Sequence, residues 1–315
     1  MSFKTFLLSD YSIKKVKLKK WWHRNDWAKA HSPRLNTRIR TEWYYLRHKD
    51  ECLIVDGWLL KFYEAKELYM NWGDDINVYL LERLSGKKII PAAKLLFRHK
   101  KYTCIGSVIP ACVDKHTAVW GSGCMDFSRP IKAKGAIIKS VRGPLTREFL
   151  QKNGIDCPPI YGDPALLLPI VYNPQNQEKK YKMCIIPHHH DWDEPEQLKQ
   201  FIKEWYPDAH VINMTDYKEW TNVIDEIVQS EIVISSSLHG LIVSDAYGVP
   251  NVFVEFTFHH PRYDKYKDYY MSVGREFCPP QKAECITLEN RMRDYRQPNI
   301  DIQPILKACP FEISI

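Results

Sequence analysis

Residues 231–255 read EIVISSSLHGLIVSDAYGVPNVFVE, and their periodicity decides the fold. Ile232, Val233 and Ile234 form a short apolar run, as in a buried parallel strand. Ser235, Ser236 and Ser237 follow, then Leu238, His239 and Gly240. From Leu241 the spacing turns helical, with Gly248 as the stop and Pro250 just beyond it. Asn251 to Val254 opens a second strand. The unit is β-α-β, with His239 expected in the turn after its first strand. In open parallel sheets, ligands bind beyond the carboxyl ends of strands, where helix N-terminal amides attract anions. An imidazole there exchanges protons near neutral pH, so His239 is the leading candidate for the chemistry.

The same grammar recurs upstream. Ala136–Val141 reads as a strand, Arg142-Gly143 as a turn, and Pro144 as a first helical residue, with Gly154 closing the helix. Arg142 therefore falls beside a helix N-terminus, where a guanidinium suits a carboxylate or phosphate. Asp75 to Leu84 has helical spacing and stops at Ser85-Gly86, so Asn71, Gly73 and Asp74 are expected in its lead-in loop, at the edge of the site. Two further apolar segments, 102–108 and 117–120, end in small residues: Gly106-Ser107, then Gly121-Ser122-Gly123. Such residues let a ligand approach the backbone, but they do not complete a dinucleotide fingerprint. After the polar run 172–180, read as a linker, strands and helices alternate again, starting with KMCIIP and His188-His189-His190-Asp191. Taking that segment as extended, adjacent side chains point to alternate faces, so His188 alone is expected to face the site and no metal is called for. The expectation is an α/β protein with two Rossmann-like domains facing a cleft: an arm at 1–65, domains at 66–170 and 171–280, and a tail at 281–315 packing back on the first domain.

Composition narrows the function. The 315 residues carry a net charge of +7, yet residues 1–50 alone carry +9, so the body is slightly acidic. That argues against a nucleic-acid binder, whose folded domain should present a basic face. Residues 14–27 combine six Lys or Arg with Trp21, Trp22 and Trp27, a pattern that fits either peripheral contact with an anionic membrane surface or a solvated helix or arm packed on the body. No secretory signal and no apolar run long enough to span a membrane is present, and the nine cysteines form no C-x-x-C pair. A reducing cytoplasm is the expected location, at the inner face of the membrane if the basic arm meets it.

NWGDDINVYLLERLSGK, SVRGPLTREFL, YGDPALLLP, IIPHHHD, SSSLHGLIVSDAYGVPNV and KYKDYYMSVG together, over about residues 66–275, resemble the polysaccharide pyruvyl transferases. The resemblance implies a glycosyltransferase-B-like architecture. It also implies transfer of pyruvate from phosphoenolpyruvate, as substrate and without a cofactor, onto two sugar hydroxyls as a cyclic ketal, in surface or capsular polysaccharide synthesis. It makes His239 the catalytic histidine and Arg142 a donor-binding arginine. Ser235, Ser236, Ser237, Leu238 and Gly240 would complete the donor site. Asn71, Gly73, Asp74, Ser107, Gly121, Ser122, Gly123 and His188 would line the acceptor side.

In that chemistry a protonated His239 acts as general acid on the donor's methylene carbon, while Asp74 and His188 are candidates to accept hydroxyl protons. One departure stands out: where relatives carry arginine two positions before the histidine, this chain has Ser237. His188, Lys265 or Lys267 would have to supply the missing charge. The acceptor is expected to be a sugar, on a lipid-diphosphate carrier if the basic arm meets the membrane. The rival readings are a nucleotide-sugar glycosyltransferase and a non-catalytic glycan-binding protein on the same scaffold.

Overall fold

A computed structural model describes residues 33–62, 70–128, 131, 133–256, 263–282, 295 and 297–314. The tryptophan-bearing basic segment 14–27 lies outside the described residues. The chain is α/β, with two parallel sheets. The first has the order β2-β1-β3-β4-β5, from Lys88–Pro91, Cys52–Val55, Lys101–Thr103, Thr117–Trp120 and Ile137–Ser140. The second has the order β10-β9-β8-β6-β7, from Gln281–Lys282, Asn251–Glu255, Val233–Ser235, Cys184–Ile186 and His210–Val211. Its outer strand β10 adds two residues to a four-stranded core sheet. β1, β4, β6 and β8 are buried throughout, which is why they read as continuous apolar runs rather than alternating ones.

The helices that matter for the site are α1 (Leu35–Arg47), α2 (Trp72–Ser85), α3 (Pro144–Lys152), α4 (Pro195–Trp205), α5 (Trp220–Val228), α6 (Leu238–Ala246) and α7 (Asp264–Ser272). α2 is buried over most of its length. Trp72, Ile76, Leu80 and Leu84 pack in one apolar cluster with Trp220, Val223 and Ile227 of α5 and with Leu238, Leu241 and Ile242 of α6. The Trp72 amide donates to Met214 O at 2.9 Å and its indole to Trp220 O at 2.8 Å, so the head of α2 is fixed against the second sheet's helices. From the tail, Ile305 O accepts the Trp120 indole proton at 2.9 Å, and the Ser314 amide reaches Leu84 O at 2.7 Å.

Three expectations need correction. The arm does not extend to residue 65, because Cys52–Val55 is an inner strand of the first sheet. α2 begins at Trp72 rather than Asp75: Asn71 is its cap, its side chain accepting from the Gly73 amide at 3.3 Å, so Gly73 and Asp74 lie in the first turn. α6 begins at Leu238 rather than Leu241, which makes His239 its second residue instead of a turn residue. Each missed turn starts on a buried apolar residue, Trp72 or Leu238, but carries a glycine, Gly73 or Gly240, that reads as loop, and the error is a turn's length in both helices.

Candidate functional site

β8 ends at Ser235, and the three serines build the platform on which α6 starts. Ser235 Oγ donates to Ile186 O and Ser237 O and accepts from the Ser237 amide at 2.9 Å. Ser236 Oγ donates to Asp191 Oδ2 at 2.6 Å and accepts from the His188 amide at 2.8 Å, while Tyr266 OH donates to Ser236 O at 2.6 Å. Ser237 Oγ faces Met214 Sδ at 3.6 Å. These hydroxyls hold β6, β8 and α7 together. What is left for a ligand is the first turn of α6, whose amides have no intrahelical acceptor. Gly240 serves packing, since a side chain there would run into Ser235 Oγ.

His239 projects from that turn onto the head of α2. An added Cβ at Gly73 would lie 2.2 Å from His239 Nδ1, so only glycine lets the imidazole rest on the helix. Nε2 points inward to Asp163 Oδ2 at 3.9 Å. Burial, followed by the charges of Arg142 and Lys265, pushes the His239 pKa down to about 3, so the ring is neutral in the ligand-free protein. The contact with Asp163 is therefore between a carboxylate and a neutral imidazole.

Arg142, from the loop between β5 and α3, is fully buried. Nη1 donates to Ser107 Oγ at 2.6 Å and Nη2 to Cys124 O at 3.0 Å, while Nε lies 3.4 Å from Asp268 Oδ2. Asp268 is shared: it also accepts from the Thr146 amide at 3.0 Å and from Thr146 Oγ1 at 2.6 Å. The guanidinium lies against Gly123, where a Cβ would sit 2.4 Å from Cζ. Ser122 Oγ donates to Gly106 O at 2.8 Å, and Gly121 sits under Pro164. Ser107, Ser122 and Gly123 therefore build the Arg142 pocket, and Gly121 supports the turn that carries Asp163.

Lys265, on α7 one turn before Asp268, is buried with no carboxylate within 4 Å among the described residues. Its Nζ lies 3.2 Å from His188 Nε2. Burial, then Arg142, lowers its pKa to about 8, against the opposing pull of Asp74 and Asp191. Lys267 is exposed, so of the two lysines only Lys265 is inside. Asp74 accepts from Asn71 Nδ2 at 2.8 Å, and burial followed by the neighbouring Asp75 raises its pKa to about 7. Asp75 itself, accepting from Tyr217 OH at 2.8 Å, is also pushed up to about 7, chiefly by burial.

The histidine run corrects another premise. His189–Asp193 is a 3-10 turn capped by His188, not an extended segment, and it brings ring nitrogens of His188, His189 and His190 within 4.8 Å of one another. His188 Nδ1 faces the His190 amide at 3.3 Å and Nε2 faces Lys265, so three-imidazole ligation would break one of these contacts.

Sequence reasoning missed Asp268, whose link to Arg142 spans more than a hundred residues, and gave Asp163 no role although its Gly-Asp-Pro motif was visible. Asn77 was missed as well: it pairs both ways with the Ile105 backbone, at 2.9 and 3.1 Å, and so docks α2 beside the loop carrying Ser107.

The sequence profile of the polysaccharide pyruvyl transferases matches residues 4–256. The succinoglycan biosynthesis protein ExoV of Rhizobium meliloti is 30% identical over 258 residues, 78% of this chain and 74% of that protein. An uncharacterized protein of Acanthamoeba polyphaga mimivirus is 29% identical over 260 residues, 77% of this chain and 88% of that one. A functionally uncharacterized Klebsiella pneumoniae protein of known structure aligns with 78% of this chain and 100% of its own, at 12% identity and a TM-score of 0.39, too distant to add to the argument. By the extent of the profile match, the chain belongs to the polysaccharide pyruvyl transferase family.

Proposed function

We propose that the chain transfers pyruvate from phosphoenolpyruvate to two hydroxyls of a sugar, forming a cyclic ketal during exopolysaccharide synthesis. One observation carries this reading. Two buried cations, Arg142 and Lys265, bear on one imidazole, and neither has a carboxylate to itself. A site with unspent positive charge in a low-dielectric setting suits a small polyanion. On this reading the two sheets are the halves of a glycosyltransferase-B-like scaffold, with the donor at the head of α6 between them.

Arg142 and Lys265 grip the donor's phosphate and carboxylate, and Lys265 supplies the charge that relatives place at the position of Ser237. Binding also sets the proton. Burial depresses the His239 pKa most and the two cations add to it, so an anion that offsets them raises it and favours bringing the proton in with the donor. His239 then protonates the methylene carbon, leaving C2 as an oxocarbenium-like electrophile. One sugar hydroxyl adds to C2 and loses its proton. The second displaces phosphate, which departs as inorganic phosphate, and closes the ring. Of the two hydroxyl protons, one balances the proton His239 gave up and the other leaves with phosphate or buffer. Asp74, with its pKa near 7 and its place on the first turn of α2, is positioned to take the first of them.

The acceptor we propose is a lipid-diphosphate-linked oligosaccharide met at the inner face of the membrane. No helix among the described residues is long and apolar enough to cross a membrane. The test is a proton NMR spectrum of acceptor sugar incubated with protein and phosphoenolpyruvate, read beside phosphate release. A new ketal methyl singlet matched by sugar-dependent phosphate release is expected, and both should disappear in His239→Ala. Nucleoside diphosphate release from a nucleotide sugar, with no singlet, would overturn the proposal in favour of glycosyl transfer.

A further inference from the structure

We infer that Asp163 is a positioning residue for His239, holding a proton on Nε2 so that Nδ1 is the nitrogen that works. The pair stands out by what each partner lacks. Asp163 is wholly buried, and its Oδ1 accepts from the Ala165 amide at 3.0 Å, capping the 3-10 turn Pro164–Leu167. Its Oδ2 is buried without a hydrogen-bond partner. His239 Nε2 is likewise buried without one. These two unmatched atoms face each other at 3.9 Å, and among the described residues no other carboxylate oxygen lies within 4 Å of a ring nitrogen. Buried polar atoms are nearly always paired, so two orphans in opposition mark a bond that a shift of under about 1 Å completes.

The chemistry selects the tautomer. Asp163 is raised to about 6, chiefly by burial, and so remains ionised at neutral pH; an ionised carboxylate only accepts. Nε2 must then carry the proton, because the other tautomer would set a lone pair against a carboxylate. Nδ1 is left with its lone pair at the head of α2. The side chain retains 12% exposure, and Nε2 is not the atom that has it. The charged groups acting on the ring are Arg142 from the loop after β5, Lys265 from α7 and Asp163. When an anion offsets the two cations, Asp163 stabilises the resulting imidazolium from behind, and the second proton sits on Nδ1, facing the donor. That catalytic consequence rests on the pyruvyl-transfer reading; the tautomer does not.

The experiment uses the full chain with 15N-labelled histidine, with His239 identified by loss of its signal in His239→Gln. Long-range proton–nitrogen correlation at pH 7.5 should show His239 protonated at Nε2 and bare at Nδ1. In Asp163→Asn the carboxamide oxygen keeps the Ala165 cap and its N–H replaces Oδ2, so the proton should move to Nδ1. With it, kcat for ketal formation should fall at least about 100-fold while KM for phosphoenolpyruvate changes less than about threefold. A wild-type ring protonated at Nδ1 overturns the inference without any variant. So does an Asp163→Asn protein that keeps both the wild-type tautomer and its kcat. If the wild type forms no ketal at all, the proposed function fails, while the tautomer measurement still decides the role of Asp163.

Discussion

Two arginine–aspartate pairs flank α6 and α7, one part-buried and one fully buried, and they are built to opposite ends. Arg275 Nη1 donates to both carboxylate oxygens of Asp245 at 2.8 Å and to Asn251 Oδ1 at 3.0 Å. Asp245 also takes Tyr269 OH at 2.8 Å and Asn251 Nδ2 at 2.6 Å. Each charge there is spent on its partner. Arg142 reaches Asp268 only at 3.4 Å, its Nε has no hydrogen-bonded acceptor, and Asp268 is drawn off by Thr146. The first arrangement ties the end of α6 to β9 and to the residues after α7. The second leaves positive charge over, beside Lys265 and His239. On the proposed function, the difference separates a structural ion pair from a binding one.

The largest expected effect breaks the first pair. Asp245→Ala strands Arg275 and removes acceptors from Tyr269 and Asn251, and it should destabilise the protein by about 4 kcal/mol in urea unfolding. If Asp245→Ala and Arg142→Gln cost equal stability, the contrast between the pairs collapses. Arg142→Gln should instead appear in binding. Asp268 keeps its two bonds from Thr146, so stability should fall by about 1 kcal/mol, while the donor KM rises about 100-fold, or roughly 3 kcal/mol of binding.

Lys265→Met sharpens the comparison by removing the second unspent charge. The donor KM should rise about tenfold at pH 7. The wild type should bind its donor less well as pH climbs through about 8, where Lys265 loses its proton, and the variant should lose that dependence. Equal pH profiles would remove Lys265 from the site.

The smallest effect concerns Asp74. Its pKa is raised to about 7 from an ordinary value near 4, so the folded state holds this proton more tightly than the unfolded chain. Its contribution to stability therefore falls as pH rises from about 4 to about 7. Asp74→Asn should stabilise the protein by about 1 kcal/mol at pH 8 and not at all below pH 4, read from thermal unfolding at both. A gain that is the same at both pH values would show that the carboxylate is not strained.

The β8–α6–β9 unit could be read directly because Ile232–Ile234 and Val252–Val254 are uninterrupted apolar runs and Gly248, at φ +68°, ends the helix where its position suggests. Arg142 and the helix after it were legible for the same reason, with Pro144 as the first helical residue. The helix starts were not, because the first turns of α2 and α6 hold Gly73 and Gly240, which read as loop although Trp72 and Leu238 already belong to the helices. The pairings that give the site its character were beyond reach for another reason. Asp268 with Arg142, Asp163 with His239, and His188 with Lys265 are each distant in sequence, so no local spacing records them. Ser235 and Ser236, expected as donor ligands because hydroxyls before a helix look like anion ligands, have hydroxyls that also hold strands and helices together, which local sequence does not record.

The central claim is that burial, reinforced by the charges of Arg142 and Lys265, keeps a proton off His239 until an anionic donor offsets those charges. Titrating the His239 ring by 15N NMR, with and without phosphoenolpyruvate, tests it most directly. The account predicts a ring that stays neutral down to about pH 4 in the free protein and takes up a second proton near neutral pH when the donor is bound. A ring already protonated at pH 7 without donor, or a titration that phosphoenolpyruvate at saturating concentration does not move, would contradict it.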